Sequence, residues 1–363
     1  MLVVRFPSKL FTLMSKINPC VLLLSDIHVS KDNIPEFTAN WQEALAVCEG
    51  MNIQEIAFGG DMFMSRSAQT LDVLLAVHDA LLAAEKRGIH VTLANGNHDF
   101  IQQEAIRGYC HVFDQHANVL VVDEMASLLA SEDWEFVLHI IPYFPENGSF
   151  IEKLDKLTAT GLDKKRKNYL YIHEGINGAL AQPNEKELSP NIFRIFDKVF
   201  VGHYHNRCII DGTNVEYIGS SRQMNFGEDE EKGYTVIYPD GRYDFIKNRA
   251  NTRYLVMDVQ VEKTGIHLSD KLEEIKEDGR YRVKVRVHTS SAKASGIDKE
   301  KLLQAGASKV EIVTEDPEIT EVAGSGLFEK FDNHQIKETY EAFCDEKKIE
   351  DVELGLSYLS KIE

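Results

Sequence analysis

Five short stretches end in side chains able to bind metal. Asp26 and His28 close "CVLLLSDIH", Asp61 closes "EIAFGGD", and Asn97 and His98 lie in "HVTLANGNHD". His173 ends the apolar part of "YLYIHEG", and His203 and His205 close "KVFVGHYH". Carboxylate, imidazole and amide oxygen without thiolate suit manganese, iron or zinc better than calcium or a closed structural zinc site. The set is too large for one tetrahedral ion and suits two ions sharing a bridging carboxylate. Two ions about 3.5–4 Å apart are the usual device for phosphoester displacement, because they activate a water and stabilise charge on attacking and leaving oxygens.

Each stretch is a strand-length apolar run bounded by glycine or polar residues, and helical patterns lie between the runs. The clearest is "AQTLDVLLAVHDALLAAEKRG", with Gly88 where a C-terminal cap belongs. This is α/β organisation over roughly the first 250 residues. Carboxyl ends of strands in an α/β sheet share one edge, so ligands 35, 36, 76 and 30 residues apart can converge. Gly59, Gly60, Gly96 and Gly202 precede ligands, where a missing Cβ permits close backbone approach. The remaining histidines, including His78, His111 and His139, follow no such rule and read as structural or surface residues.

The length of 363 residues and a 43% hydrophobic content predict two or three domains. A formal net charge of -18 excludes general coating of nucleic acid or an acidic membrane by the whole surface. A polyanionic substrate must then be met by a local basic patch or by bound cations. Five scattered cysteines without a C-x-x-C pair are cytosolic usage, and a cytoplasmic protein is expected. Residues 1–18 read as an N-terminal extension, with Met14 an alternative start, and no membrane span is predicted.

The blocks "DIH", "GGD", "GNHD", a strand-end His and "GHYH" together resemble those of the calcineurin-like metallophosphoesterases, over Val21 to Asn248. The resemblance implies a double β-sheet sandwich flanked by helices. It implies Asp26, His28, Asp61 and His205 on one ion and Asp61, Asn97, His173 and His203 on a second, with Asp61 bridging. His98 would stay off the metals and act on the leaving-group oxygen as general acid or transition-state stabiliser. "YIGSSRQMNFGEDEEKGYTVI", from Tyr217, is similar to the corresponding segment of the SbcD family of DNA repair nucleases and their phage recombination counterparts. The protein phosphatase branch fits less well, because its aspartate and arginine are missing from "GGDMFMSRS" and Asp99 stands where its third block has Glu.

The SbcD resemblance implies a layout: a nuclease domain over 19–250, a small α+β capping and DNA-binding domain over 251–320, and a C-terminal helical segment over 321–363 that binds an SbcC-type ABC ATPase. It also implies a homodimer and two divalent ions, manganese foremost, with magnesium, iron or zinc as alternatives. The expected activity is 3'-to-5' exonuclease and single-strand or hairpin endonuclease. Met64 stands where archaeal and eukaryotic relatives often carry a histidine.

In "GRYRVKVRVH", Arg280, Arg282, Lys284 and Arg286 alternate with Tyr281 and valines, giving a strand one basic face. Eight Lys or Arg face only Asp298 and Glu300 between Gly279 and Lys309, an excess that could guide a phosphate backbone or simply be a solvated face. "DKKRK", from Asp163, reads as an exposed loop. Near the C-terminus Ile336, Tyr340 and Phe343 share one helical face, with Phe328 and Phe331 upstream, suited to a partner or to packing on their own domain. No G-x-x-x-x-G-K loop occurs, so ATP hydrolysis would come from a partner. Two other readings remain open: a phosphoesterase acting on small nucleotides or phosphomonoesters, and a non-catalytic DNA-end or ATPase scaffold.

Overall fold

The computed structural model describes residues 18–101, 107–144, 149–180, 184, 187–260, 280–314 and 352. The proposed partner-binding residues Phe328, Phe331, Ile336, Tyr340 and Phe343, and nearly all of the N-terminal extension, lie outside them. Two compact units divide the chain, one of 1–254 with 279–281 and one of 255–278 with 282–363.

The first unit opens with β1 (Val21–Leu24), β2 (Glu55–Gly59), β3 (His90–Ala94) and β4 (Val119–Val122), parallel and side by side. Helix α1 (Ile34–Met51) follows β1, and α2 (Leu71–Glu85) follows β2. A second sheet takes β5 (Ala126–Leu128), β6 (Phe136–Ile141), β7 (Lys167–His173), β8 (Lys198–Gly202), β9 (Cys208–Ile209) and β10 (Val215–Tyr217), in the order β5-β6-β7-β8-β10-β9, with α3 (Ser149–Thr160) between β6 and β7. The chain then returns to the first sheet. β11 (Gly233–Ile237) pairs antiparallel with β1 and β12 (Tyr243–Lys247) closes the edge, giving the order β12-β11-β1-β2-β3-β4.

Hydrophobic patterning dictates the layers. β1, β2 and β6 are buried along their whole length, as strands covered on both faces must be. Leu23, Ala57 and Ala94 of the first sheet meet Phe136, Leu138, Tyr171 and Phe200 of the second in one apolar layer between the sheets. On the outer face of the first sheet, α1 buries Phe37, Trp41, Ala44, Leu45 and Cys48, and α2 buries Val73, Val77, Leu81 and Ala84, both at helical spacing. On the second, α3 buries Phe150, Leu154 and Leu157. The protein is thus an α/β double-sheet sandwich flanked by helices, as expected. Truncating an inter-sheet side chain such as Phe200 costs about 3–5 kcal/mol.

Helix α2 ends as its sequence predicts. Gly88 takes φ +67°, and the Ile89 amide donates to the Ala84 carbonyl at 3.0 Å. The two sheets also touch through a polar contact, where the Tyr171 hydroxyl donates to the Leu24 carbonyl at 2.8 Å. The Tyr171 ring occupies the space that a Cβ at Gly59 would need, which explains a glycine there.

The second unit contains most of β13 (Arg253–Gln260) together with β14 (Tyr281–Thr289), two short helices α4 (Ser291–Ala294) and α5 (Lys299–Gln304), and β15 (Lys309–Thr314), with strand order β13-β14-β15. On β14, Val283, Val285 and Val287 are buried while Lys284 and Arg286 are half-buried between them. No described helix is long and apolar enough to cross a membrane.

Candidate metal centre

Parallel register aligns the ends that carry the ligands. Leu24 pairs with Phe58, Gly59 with Ala94, and His173 with Gly202, so the loops leaving five strands emerge at one edge of the sandwich. The first sheet delivers Asp26, His28, Asp61, Asn97 and His98, and the second delivers His173, His203 and His205.

All of them meet. His28 Nε2 lies 3.1 Å from His205 Nε2, 4.0 Å from Asp26 Oδ1 and 3.5 Å from Asp61 Oδ2. His173 Nε2 lies 3.4 Å from the same Asp61 Oδ2 and 3.2 Å from Asn97 Oδ1, which is 3.0 Å from His203 Nδ1. Asp61 Oδ2 therefore stands between the two sets of side chains, in position to bridge. Metal-binding geometry is met by Asp26, His28 and His205, by Asp26, Asp61 and His173, and by His28, Asp61 and His98, with donor atoms within 4.8 Å of one another in each group.

Backbone strain is concentrated here. Among the described residues, five non-glycine residues take positive φ: Asp26 (54°), His28 (48°), Asp61 (57°), His203 (90°) and Asn52. Asn52 is the left-handed cap of α1, and the other four belong to the cluster. Each such conformation costs about 1–3 kcal/mol and persists only where its surroundings enforce it. Gly60, at φ +107°, and Gly96 are enforced in turn: a Cβ on Gly60 would crowd His173, and one on Gly96 would overlap the Asp61 carboxylate.

The donor chemistry fits cations. His28 Nδ1 faces the Phe63 carbonyl at 3.3 Å, and His205 Nδ1 faces Glu228 Oε1 at 2.9 Å. Both partners only accept, so each Nδ1 carries the proton and the two Nε2 lone pairs face each other at 3.1 Å. Such a contact needs a positive charge between the rings. His173 Nδ1 likewise donates to the Gly59 carbonyl at 2.8 Å, directing Nε2 at two oxygens.

The charges follow the same logic. Burial lowers His28 and His203 to about 4, leaving both neutral and able to ligate at pH 7. Burial would lower His173 as well, but the Asp61 and Asp26 carboxylates and the Gly59 carbonyl hold it at about 10. Burial would raise Asp61, but His173, His28 and His98 depress it below the usual carboxylate range. The carboxylates that hold a proton on His173 would hold a divalent ion in its stead.

His98 is placed differently. Its backbone amide donates to Asp61 Oδ1 at 2.8 Å, and its Nδ1 lies 2.8 Å from the Met64 carbonyl. With Nδ1–H engaged there, Nε2 can release a proton only from the imidazolium form. Residue 64 serves His98 through its carbonyl, while its side chain is exposed.

Three supporting residues escape sequence reasoning. Asp99, fully buried, accepts from the amides of Phe63 (3.0 Å), Gly96 (2.8 Å) and Met62 (3.3 Å), tying the Asp61 loop to the Asn97 loop; burial, then the charge of Asp61, lifts its carboxyl to about 7. Arg222, also buried, donates to the Ile27 carbonyl at 2.9 Å between the two ligands of the first loop and pairs with Glu36 at 3.2 Å. Glu228 holds His205 and is itself held by Asn225 Nδ2 (2.7 Å), the Met224 amide (3.1 Å) and Lys232 (3.5 Å). Asp99 adjoins a ligand motif; nothing in the sequence marks the other two.

The basic strand is less free than its sequence suggests. Lys284 pairs with Glu311, and Arg286 with Asp258 at 3.3 Å and Glu311 at 3.9 Å, while Arg280 and Arg282 are exposed.

A parallel-stranded sandwich whose strand-end loops gather carboxylates, imidazoles and an amide at one edge is the architecture expected of a metallophosphoesterase. No family model matches the chain. Among curated proteins it is similar to the SbcD component of the SbcCD nuclease of Staphylococcus epidermidis, 30% identical over 95 residues, 24% of this chain and 25% of the relative. The same component from Staphylococcus saprophyticus is 28% identical over 85 residues, 21% and 23% of the two chains. The chain thus spans about a quarter of the length of these relatives. Among solved structures, a dimetal phosphatase of Danio rerio gives a TM-score of 0.38 at 12% identity, covering 61% of this chain and 93% of that one. The nuclease MPE of Pseudomonas putida gives 0.28 at 16%, covering 60% and 84%.

Proposed function

We propose that the protein is a manganese-dependent DNA nuclease of SbcD type, hydrolysing phosphodiesters at a two-metal site. The carrying observation is the convergence of Asp26, His28, Asp61, Asn97, His173, His203 and His205 from both sheets, with Asp61 between the two halves and His98 at its rim. Two bound divalent ions would polarise the phosphate and lower the pKa of a water. Asp26, His28, Asp61 and His205 would hold one, and Asp61, Asn97, His173 and His203 the other. The chain's own part is to fix those ligands through Asp99, Arg222 and Glu228. His98 then donates its Nε2 proton to the departing oxygen, its ring oriented by the Met64 carbonyl.

The names of the two curated relatives support DNA as substrate and an SbcC-type ATPase as partner, and Arg280 and Arg282 offer exposed positive charge. On this reading the domain over 251–320 caps the nuclease domain over 19–250, residues 321–363 dock on the ATPase, the chain forms a homodimer in the cytoplasm, and the activity is 3'-to-5' exonuclease with single-strand and hairpin endonuclease. A phosphoesterase acting on small nucleotides is the second reading, favoured by the ion pairs that neutralise Lys284 and Arg286. The test is manganese-dependent release of label from the 3' end of linear duplex DNA by the wild type beside His98→Asn and Asp61→Ala. Degradation by the wild type alone supports the nuclease. Hydrolysis of bis-nitrophenyl phosphate with DNA intact, alone and with the ATPase, supports the second reading.

A further inference from the structure

Beside the cluster, on its Asn97 and His203 side, lies a cavity of about 300 Å³. Its size is at the lower end for ligand pockets, right for one flat ring system and too small for a base pair. Tyr143, Phe144 and Tyr204 supply aromatic walls, and Ile151 of α3 lines it as well. The Tyr204 ring is braced, 4.9 Å from His203 and 5.0 Å from Tyr217, and its hydroxyl donates to Glu187 Oε1. The wall carrying Glu187 is fixed too, since the Leu188 amide donates to the Gly175 carbonyl at 2.9 Å and Asn177 Nδ2 to the Glu187 carbonyl at 3.1 Å. Tyr204 uses only Oε1, and Glu187 Oε2 has no hydrogen-bond partner among the described residues, so it can accept from a ring N–H or amino group. Exposed Arg66 lines the same cavity and offers a cation to a neighbouring phosphate.

We infer that this cavity binds one unpaired nucleobase, that of the nucleotide whose phosphate lies at the metal centre. The inference rests on the phosphodiesterase reading above and narrows it: DNA must present an unpaired nucleotide, in a single strand, a loop or a frayed end. Aromatic faces take any base by stacking, and the Glu187 carboxylate favours bases that offer an N–H donor. The base comes either from a strand or from a free mononucleotide, and the two are separable.

The test is equilibrium binding, which does not depend on cleavage. A fluorescent single-stranded oligonucleotide and the same strand built of abasic residues are titrated with Mn²⁺-loaded His98→Asn protein. Loss of the bases is expected to weaken binding by about tenfold or more. Ile151→Trp in the same background fills the cavity and should bind both strands equally weakly, with Mn²⁺ affinity unchanged by calorimetry. Tyr204→Phe should keep the base preference and Tyr204→Leu should lose it, which serves if the tryptophan variant does not fold. Competition by deoxyadenosine monophosphate but not by deoxyribose phosphate would assign the pocket to free nucleotides as well as strands. Equal binding of intact and abasic strands, or a base preference that survives both Ile151→Trp and Tyr204→Leu, overturns the inference. A wild type that shows the base preference yet cuts no DNA refutes the nuclease reading and leaves the pocket standing.

Discussion

Replacing Glu228 by glutamine removes one charge and almost no volume, yet the surroundings leave the amide no good orientation. Glu228 Oε1 accepts from His205 Nδ1 at 2.9 Å and from Asn225 Nδ2 at 2.7 Å, while Oε2 accepts from the Met224 amide at 3.1 Å and faces the Lys232 ammonium at 3.5 Å. An amide has only one accepting oxygen. If that oxygen serves His205, the NH2 group meets the Met224 N–H and a buried ammonium; turned round, it meets His205 Nδ1–H and forces the other tautomer, with the proton on the Nε2 that should ligate. An unmet buried hydrogen bond costs about 1–3 kcal/mol. Loss of a carboxylate behind a ligating histidine typically lowers metal affinity by about 10–100-fold, or ~1.4–2.8 kcal/mol at ~1.4 kcal/mol per decade. Calorimetric titration of Mn²⁺ into wild type and Glu228→Gln should show one of two binding steps weakened by that amount and the other, centred on Asn97, His173 and His203, little changed. Two unaltered steps would refute the assignment of Glu228 as the residue that positions His205, and equal weakening of both would mean that it acts on the fold at large.

Other outcomes follow from the same geometry. His98→Asn should leave Mn²⁺ binding intact and lower the rate of phosphodiester hydrolysis by about 10²–10⁴-fold, checked by calorimetry beside steady-state kinetics. Mn²⁺ binding at pH 8 should displace about one proton from His173, held at about 10 by Asp61 and Asp26 against the effect of burial, seen as binding heats that differ between buffers of unlike ionisation enthalpy. Without metal, His173 contributes stability that is complete below pH 6.5 and lost as pH rises towards 10. His28 and His203, lowered to about 4 by burial, contribute stability present above pH 6.5 and lost as pH falls towards 4, so the metal-free melting temperature should peak near pH 6.5. Burial pushes the Cys20 and Cys48 thiols up to about 12, so iodoacetamide at pH 8 should leave both unmodified in the native protein and alkylate them in urea, read by mass spectrometry.

The strand-end ligands could be read in advance because each closes an apolar run whose length and glycine punctuation are local properties. "EIAFGGD" and "KVFVGHYH" became β2 and β8 with the ligands just beyond them. β4, β5 and β9 are only two to four residues long, too short for periodicity to mark, and α1 carries buried Asn40 in its apolar stripe, which blurs it. Glu228 and Arg222 owe their roles to loops that meet residues far away in sequence, a relation no spacing encodes. β14 shows both cases: its alternation was legible in Val283, Val285 and Val287, whereas the pairing of Arg286 with Glu311 depends on the β14–β15 register. His98 was legible by position, but its dependence on the Met64 carbonyl required the loop geometry.

The order of strands has a consequence for the life of the chain on the ribosome. β1 lies between β2 and β11, so the first sheet is completed by residues more than 200 positions downstream, after the whole second sheet has been made. Until then β1 has an open edge, and Asp26, His28, Asp61 and Asn97 await three histidines not yet synthesised. Such non-local closure folds slowly and exposes strand edges on the way. No fragment ending before His205 can hold the complete ligand set, so the capacity to cut a phosphodiester arises only when the sandwich is nearly finished.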